Sequence, residues 1–283
     1  MSFIDRVRAC SMFDPSLYQP FVVDGAPVGL VKPQFADHLR AFPDVFVVSD
    51  DGVTLSLRLS DFQARTAAVS TALRELADRG LFSGWRDEPF PVATSPAGPI
   101  LFNMERAAIA WFGIRAYGVH LNGVVRDGSA LKMWVGRRSM DRPRAPGKLD
   151  QLVAGGQPAG LSLRDNLVKE CAEEASVPAD LAGRAVSVGA ISYVTETGEG
   201  LRRDALYVYD LELPPDFEPR NTDGEIETFY LWPIERVLET VRDTDDFKFN
   251  CSLVVIDYLI RHGLIEPDHP EYLDLIHGLR SGM

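Results

Sequence analysis

The chain has 283 residues, 46% of them hydrophobic and 25% charged, which is typical of a globular protein with one large core or two smaller ones. Its formal net charge of -12 argues against nucleic acid as a partner, so an anionic ligand would require a metal ion and a local basic patch. The sequence shows neither the apolar core of a signal peptide nor a membrane span, so we expect no membrane partner. Three widely spaced cysteines without a metal-binding spacing predict a cytoplasmic location.

Residues 1–112 predict an α+β domain without a chemical motif. Two Asp-Gly pairs, at 24–25 and 51–52, are flanked by apolar segments and predict tight turns between strands. Ser60 begins a predicted helix that ends at Gly80. This domain is interpreted either as a structural module, which includes formation of a homodimer, or as one wall of a substrate pocket. Its aromatic residues either form its core or stack on a flat ligand; they include Phe82, Trp85, Phe90, Phe102 and Trp111.

From residue 113 the pattern changes to strands followed by helices. Apolar segments at 116–125 and 130–137 predict a hairpin around Asp127-Gly128. Further strands are predicted at 149–154, 185–195 and 205–213, and helices at 233–240 and 251–262. We therefore predict an α/β domain over residues 113–283, with a helical extension at its C-terminal end. The strand pattern alone is compatible with several α/β folds.

A glycine-rich loop at residues 155–160 precedes a short helix with clear limits. Ser162 begins the helix, Asp165 follows three residues later as in a capping box, and Pro178 ends it. At about 100° per residue, an apolar stripe and an acidic stripe lie on different sides of this helix. The apolar side is expected to pack inward.

The acidic side of the helix carries Glu170, Glu173 and Glu174. Carboxylates spaced in this way repel each other by a few tenths of a kcal/mol per pair, and Lys169 is the nearby cation in sequence. A hard divalent cation such as Mg²⁺ would remove this repulsion, because it prefers oxygen ligands. A solvated acidic helix is the alternative interpretation.

The loop and helix together resemble the signature of the Nudix hydrolase superfamily, Gly-x5-Glu-x7-Arg-Glu-U-x-Glu-Glu-x-Gly-U, where U is an aliphatic residue. The charged and glycine positions that match are Gly155, Glu170, Glu173 and Glu174. Three positions differ from the signature: Leu161 replaces a Glu, Lys169 replaces an Arg, and Ser176 replaces a Gly. The first change removes an auxiliary carboxylate, and the second exchanges a planar guanidinium for a point charge.

The resemblance implies an α/β/α sandwich with a mixed sheet, and hydrolysis of a diphosphate linkage in a small organic molecule with Mg²⁺ or Mn²⁺. The metal ligands that it implies are Glu170, Glu173, Glu174, a backbone carbonyl near Gly155, and Glu225. The catalytic groups that it implies are Glu170, Glu174 and Glu227, one of which acts as the base. A surface pair on an edge strand is the alternative interpretation of Glu225 and Glu227.

A basic segment at residues 137–148 lies between the second predicted strand and the glycine loop. Arg137, Arg138 and Lys148 are predicted to bind the substrate phosphate, since basic side chains pair with phosphate oxygens. A solvated loop that balances the acidic helix is the alternative. Arg202-Arg203 is a weaker second candidate, and His120 is interpreted as a pocket wall or a buried core residue.

Segments at 149–156, 223–229 and 247–251, with the large N-terminal unit, resemble the Nudix branch related to thiamine pyrophosphokinase. This resemblance implies thiamine diphosphate, or its damaged oxo and oxy forms, as the substrate. Because Leu161 and Lys169 depart from the signature, a degenerate domain that binds a diphosphate without cleaving it is the alternative, and isomerisation is a third hypothesis.

Overall fold

A computed structural model describes residues 2–282 and divides their strands among three sheets. The helices are α1 (Phe3–Ala9), α2 (Pro33–Leu39), α3 (Phe62–Asp78), α4 (Leu163–Ala175), α5 (Ala179–Ala182), α6 (Ile234–Asp243), α7 (Phe249–Arg261) and α8 (Tyr272–Gly278). The strands are β1 (Gln19–Val23), β2 (Ala26–Val31), β3 (Phe46–Ser49), β4 (Gly52–Leu55), β5 (Pro89–Ala93), β6 (Ile100–Glu105), β7 (Arg115–Asp127), β8 (Ala130–Arg138), β9 (Leu149–Asp150), β10 (Val153–Gly156), β11 (Val186–Thr197), β12 (Gly200–Glu212) and β13 (Ile226–Pro233). Among residues 2–282, none of the helices combines the length and apolar character needed to cross a bilayer.

The N-terminal part contains a four-stranded sheet in the order β2-β1-β4-β3 and a separate β5-β6 hairpin. The turn between β1 and β2 has positive φ at both Asp24 and Gly25, as the Asp-Gly pair predicts. Helix α3 packs against β6. The core of this part is aromatic: the ring centroid of Phe112 lies 5.0 Å from that of Phe21 and 4.9 Å from that of Phe35. Most of the aromatic residues of this part are therefore core residues.

The C-terminal part is built on a seven-stranded mixed sheet. Its main path runs β11-β12-β7-β8-β13, with β10 paired to β7 and β9 paired to β8. Strands β7 and β12 are parallel, and the other pairs are antiparallel. The long strand β7 pairs with β10 through residues 118–121 and with β8 through residues 124–127. This arrangement places the glycine loop beside the first residues of β7, at positions 117–119.

Helices cover both faces of this sheet. Residues of α4, such as Leu167 and Cys171, form one core with Val119 and Leu121 of β7. Residues of α1, α6, α7 and α8 form a second core on the opposite face. The architecture is an α/β/α sandwich with a mixed sheet, as predicted.

Helix α1 belongs to the sandwich although it precedes the N-terminal sheet in the chain. Phe3, Ile4 and Val7 are buried in the same core as residues of α7. The predicted division at residue 112 therefore does not describe this helix, because its apolar side chains pack on the C-terminal helices.

A close backbone contact joins the N-terminal sheet to the sandwich. The amide of Leu30 in β2 donates to the carbonyl of Phe112 at 2.9 Å. Gly113 has φ of +55°, and a Cβ atom there would lie 2.3 Å from the carbonyl oxygen of Leu30. Glycine is therefore required both by the left-handed conformation and by the contact.

We expect Gly113→Ala to lower the free energy of unfolding by more than Gly128→Ala does. Both positions have positive φ, which alone costs an L residue about 1–2 kcal/mol. At Gly128, however, no atom of residues 2–282 outside its chain neighbours lies within 4 Å of the added Cβ, whereas at Gly113 the Cβ meets the backbone of β2. Urea denaturation of both variants measures the difference. Equal losses would show that β2 moves away without cost.

Candidate active site

Helix α4 begins and ends where the sequence predicts. The Ser162 hydroxyl oxygen accepts a hydrogen bond from the amide of Asp165 at 3.1 Å, which caps the first turn. At the other end Ser176 takes the left-handed conformation, with φ of 53°, that the signature assigns to glycine. Its hydroxyl donates to the carbonyl of Arg220 at 2.7 Å, which contributes to holding this end in place of glycine.

The buried side of α4 sets the position of its carboxylates. Because Leu167 and Cys171 pack on the sheet, Glu170 and Glu174 lie along strand β10. The Glu174 carboxylate accepts the amide N–H of Ala154 at 2.8 Å. Burial raises the pKa of Glu174 well above its usual range and also raises that of Glu170.

Gly155 allows the helix to approach this strand. A Cβ atom at Gly155 would lie 2.4 Å from the carboxyl carbon of Glu170, which is far inside van der Waals contact. The glycine that opens the signature is therefore a consequence of helix-to-strand packing at this point.

Four predicted metal ligands and the backbone of Gly155 meet in one cavity, here called the carboxylate cavity. Its lining residues are Arg86, Glu88, Arg106, Ala154, Gly155, Gly156, Lys169, Glu170, Glu173, Glu174, Asp223 and Glu225. Two of these, Arg86 and Arg106, come from the N-terminal part of the chain. The geometry thus brings together the glutamates of α4 and Glu225 as predicted, while their roles as ligands and catalysts stay predictions.

The loop at residues 220–225 is fixed to the end of α4. The amide and the hydroxyl of Thr222 both donate to the carbonyl of Glu173, at 3.2 and 2.6 Å. The side chain of Asn221 donates to the carbonyl of Glu174 at 3.1 Å. Loop and helix therefore present Asp223 and Glu225 toward the same cavity.

The charges in the carboxylate cavity are unevenly compensated. Lys169 donates to Glu173 at 2.7 Å and to Glu170 at 3.2 Å. Glu225 is paired with Arg142 and lies 3.9 Å from Arg138. Across residues 2–282, by contrast, no basic side chain forms an ion pair with the buried Glu174.

The donor set fits a hard divalent ion. Every acidic side chain at this cavity offers carboxylate oxygens, which Mg²⁺ and Mn²⁺ prefer. A buried carboxylate without a cationic partner is costly, and its raised pKa reflects that cost. Glu170, Glu173 and Glu174 with the carbonyl of Gly155 are therefore the groups that would hold the ion.

A second group of side chains that could bind a metal is buried in the sandwich. Ligand atoms of His120, Asp150 and Cys251 lie within 4.8 Å of one another, and all three residues are buried. Burial alone would raise the pKa of Asp150, but Lys248 and Arg138 beside it lower the pKa to about 2. Because these two cations already neutralise the carboxylate, we interpret the cluster as a buried ion-pair network.

Arg138 belongs to this network, which limits its predicted role toward phosphate. Its guanidinium donates to Asp150 at 2.8 Å, and the residue is 7% exposed. Arg137 precedes it on β8 and points to the opposite face, where it is exposed. Lys148 donates to the carbonyl of Asp245 at 2.6 Å and lines a different hollow. Arg137 and Lys148 therefore do not line the carboxylate cavity.

Glu227 also lies outside the carboxylate cavity. The sequence places it on the same side of an extended segment as Glu225, but the pairing of β13 with β8 shifts between Ile226 and Thr228. Such an irregularity breaks the simple alternation of a strand. Glu227 is consequently exposed, whereas Glu225 is partly buried at the cavity.

Basic side chains from several distant segments line the cavities next to the carboxylates. Arg106 lines the carboxylate cavity and two cavities that adjoin it, and those two are also lined by Arg144, Arg202 and Lys248. One of the two, called the inner cavity, lies over the sheet face that carries Gly118 and His120. Arg86 and Arg106 were missed by sequence reasoning, because a lone arginine in a proline-rich loop or after a short strand has no distinguishing pattern.

The sandwich and the acidic helix behind a glycine loop define a protein of the Nudix class. A family described as "Domain of unknown function (DUF4743)" matches residues 2–116. Nudix hydrolase 20, chloroplastic, of Arabidopsis thaliana is 45% identical over 291 residues, covering 99% of this chain and 78% of that protein. Nudix hydrolase 24, chloroplastic, of the same plant is also 45% identical, over 285 residues, with the same coverage. Among solved structures, DR0079 of Deinococcus radiodurans is 18% identical with a TM-score of 0.44, covering 60% of this chain and 98% of its own. The chain belongs to the Nudix hydrolase family and is an enzyme of that type.

We expect Glu174→Gln and Glu173→Gln each to reduce Mg²⁺-dependent hydrolysis to below about 1% of the wild-type rate, because an ion at this site supplies several kcal/mol of charge stabilisation. Glu174→Gln should also raise the metal-free free energy of unfolding, since it removes a carboxyl group whose ionised form is disfavoured by burial, and it keeps an acceptor for Ala154. Phosphate release and urea denaturation measure the two effects. The matched control, Glu239→Gln on an exposed face of α6, should change neither. Unchanged turnover in both variants would show that the metal is not bound by this helix.

His120 should make the protein sensitive to mild acid. Burial lowers its pKa from 6.5 to about 4, so the unfolded chain binds a proton in this interval that the folded chain does not. The free energy of unfolding should therefore be at its full value above about pH 6.5 and fall as the pH drops toward 4. His120→Phe should flatten the profile in this window, measured by urea denaturation at several pH values. If the free energy of unfolding of the variant falls with pH in parallel with that of the wild type, the acid sensitivity comes from other groups.

Proposed function

We propose that the protein is a metal-dependent hydrolase of a small organic diphosphate. The observation that carries this proposal is the convergence of Glu170, Glu173 and Glu174 beside Gly155, in a cavity that continues into basic surroundings through Arg106. Carboxylates alone would repel a diphosphate. Carboxylates with a divalent ion and neighbouring arginines can hold one.

In the proposed reaction, water attacks one phosphorus of the diphosphate. A new P–O bond forms to the water oxygen, the bridging P–O bond breaks, and a phosphate or monophosphate leaves. When bound, Mg²⁺ or Mn²⁺ supplies positive charge against the diphosphate oxygens. Glu170 is the preferred base, because it lies against Gly155 at the cavity and burial raises its pKa, which makes the carboxylate a stronger base.

Arg86 and Arg106 are proposed to replace Arg137 and Lys148 as phosphate-binding residues. Both line the carboxylate cavity, and each retains solvent exposure, with side chains 42% and 35% exposed. Arg106 donates to Glu88 at 2.7 Å, which orients its guanidinium at the cavity. Guanidinium groups that line a diphosphate site can stabilise the charge that develops on the transferred phosphoryl group.

The alternative function is binding without hydrolysis. It is supported by Leu161, which stands where the signature has a carboxylate and which lines an apolar groove with Leu163 and Tyr117. A protein of this kind would be stabilised thermally by a diphosphate and Mg²⁺ but would release no product.

Thiamine diphosphate, or its oxo and oxy forms, is the proposed substrate, on the basis of the resemblance to the branch related to thiamine pyrophosphokinase. Of the aromatic residues singled out in the N-terminal part, Phe90 lines the inner cavity, whereas Phe102 is fully buried. A cytoplasmic location and a homodimer stay predictions, and both plant relatives are named chloroplastic.

We expect kcat/KM for thiamine diphosphate or its oxidised forms to exceed that for ADP-ribose by at least about tenfold, because selectivity must come from contacts to the organic half. Chromatography of products formed with Mg²⁺ or Mn²⁺ measures both reactions. Preferential cleavage of ADP-ribose would overturn the proposal that thiamine diphosphate is the substrate, but it would support the proposed diphosphate hydrolase activity. Thermal stabilisation without any product would favour the binding alternative.

A further inference from the structure

We propose that His120 is a specificity residue of the substrate site, and that its Nε2 atom accepts a hydrogen bond from an N–H or O–H group on the organic half of the ligand. This inference rests on the proposed function, because it assigns the inner cavity to the organic group of a diphosphate. The ligand class it selects is a flat heterocycle that carries a hydrogen-bond donor, such as a ring amine.

The tautomer of His120 follows from its neighbour Gln151. The Gln151 amide nitrogen donates to the carbonyl of Cys251 at 2.8 Å, which fixes the orientation of the amide group. The amide oxygen is therefore the atom that faces Nδ1 of His120, at 2.9 Å. Since an amide oxygen can only accept, Nδ1 carries the proton.

The other ring nitrogen is then an acceptor. Burial lowers the pKa of His120, so the ring is neutral at pH 7 and holds one proton in total. With that proton on Nδ1, Nε2 carries a lone pair. Lys248, a nearby donor, is directed to Asp150 at 3.4 Å.

His120 faces the cavity although little of its surface is exposed. The residue is 3% exposed and lines the inner cavity together with Lys248 and Asn250. Among residues 2–282, Gln151 is the hydrogen-bond partner found for its ring. Nε2 is not among the fully buried side-chain atoms that lack a partner, so it is open to the cavity. A ligand donor there can replace water, whereas an apolar atom would leave the acceptor unpaired.

The floor of the inner cavity beside His120 is bare backbone. Gly118 of β7 pairs with Gly156 on one side and with Leu206 on the other. A Cβ atom at Gly156 would lie 2.9 Å from the ring of Phe90, which therefore closes the cavity from the N-terminal part. A flat group can lie on such a floor, and the cavity volume of about 110 Å³ limits that group to a single small ring.

The inner cavity is continuous with the carboxylate cavity. Arg106, Ala154, Gly155 and Gly156 line both. A ligand with its diphosphate at the carboxylates of α4 therefore extends its organic half toward His120.

The test compares thiamine diphosphate with an analogue in which hydrogen replaces the amino group of the pyrimidine ring. Dissociation constants are measured by calorimetry in Ca²⁺, an ion that also binds through oxygen ligands, and hydrolysis is followed separately in Mg²⁺. Wild-type protein should bind the amino compound about five- to tenfold more tightly. His120→Phe should abolish this preference by weakening the amino compound alone.

A purely structural role of His120 would weaken both ligands by the same factor, and that result would overturn the proposal. Equal binding of the two ligands by the wild type, or binding of neither, would overturn it as well. His262→Phe, which removes an exposed imidazole outside the cavity, is the matched control and should keep the wild-type preference. Preferential binding of the amino compound without hydrolysis would instead contradict the proposed hydrolase activity and support the role of His120.

Discussion

The contact between α4 and the edge of β10 determines the rest of the site. The Glu174 carboxylate accepts the amide of Ala154, and the glycine at 155 lets Glu170 lie against the strand. A carboxylate bonded to a strand amide is held in one position, because both elements are themselves packed. The loop that carries Glu225 then attaches to the carbonyl groups at the end of the same helix. Helix, strand and loop thus define one arrangement of acidic groups.

The buried ion pair at Asp150 also fixes elements relative to each other, on the face of the sheet that α7 covers. It joins Arg138 of β8 to Lys248, the residue before α7. A buried charge pair of this kind contributes little to net stability, but separating its members is costly. The network therefore fixes where β8 and α7 lie relative to each other. Gln151, the next residue in the chain, holds His120 in the same region.

The local features of the fold could be predicted from the sequence, because their causes are local. The capping pair of Ser162 and Asp165, the apolar side of α4 and the Asp-Gly turns are all set within a few residues. The α/β/α arrangement required the resemblance to a family, since strand patterns alone permit several orders. The burial of Arg138 and the exposure of Glu227 could not be predicted, because each depends on a partner or a strand irregularity that only tertiary pairing reveals.

The same distinction applies to the candidate site. The three glutamates of α4 share one face by helical geometry alone, so sequence reasoning found them. Arg86 and Arg106 lie more than 45 residues before the glycine loop, and nothing near them in sequence distinguishes them from surface arginines. They reach the carboxylate cavity only because the β5-β6 hairpin packs beside the strand that opens it. Phe90 on this hairpin approaches Gly156, which completes the contact.

The position of α1 has a consequence for how the N-terminal part can move. Its chain leaves the sandwich after α1 and returns to it at Gly113, so the part between them is attached at two points. An element attached at one point can swing in any direction, whereas one attached at two points keeps only rotation about the line that joins them. The wall that carries Phe90, Arg86 and Arg106 is therefore largely ordered before a ligand arrives. Such a wall is preorganised, so ligand binding loses little conformational entropy in ordering it.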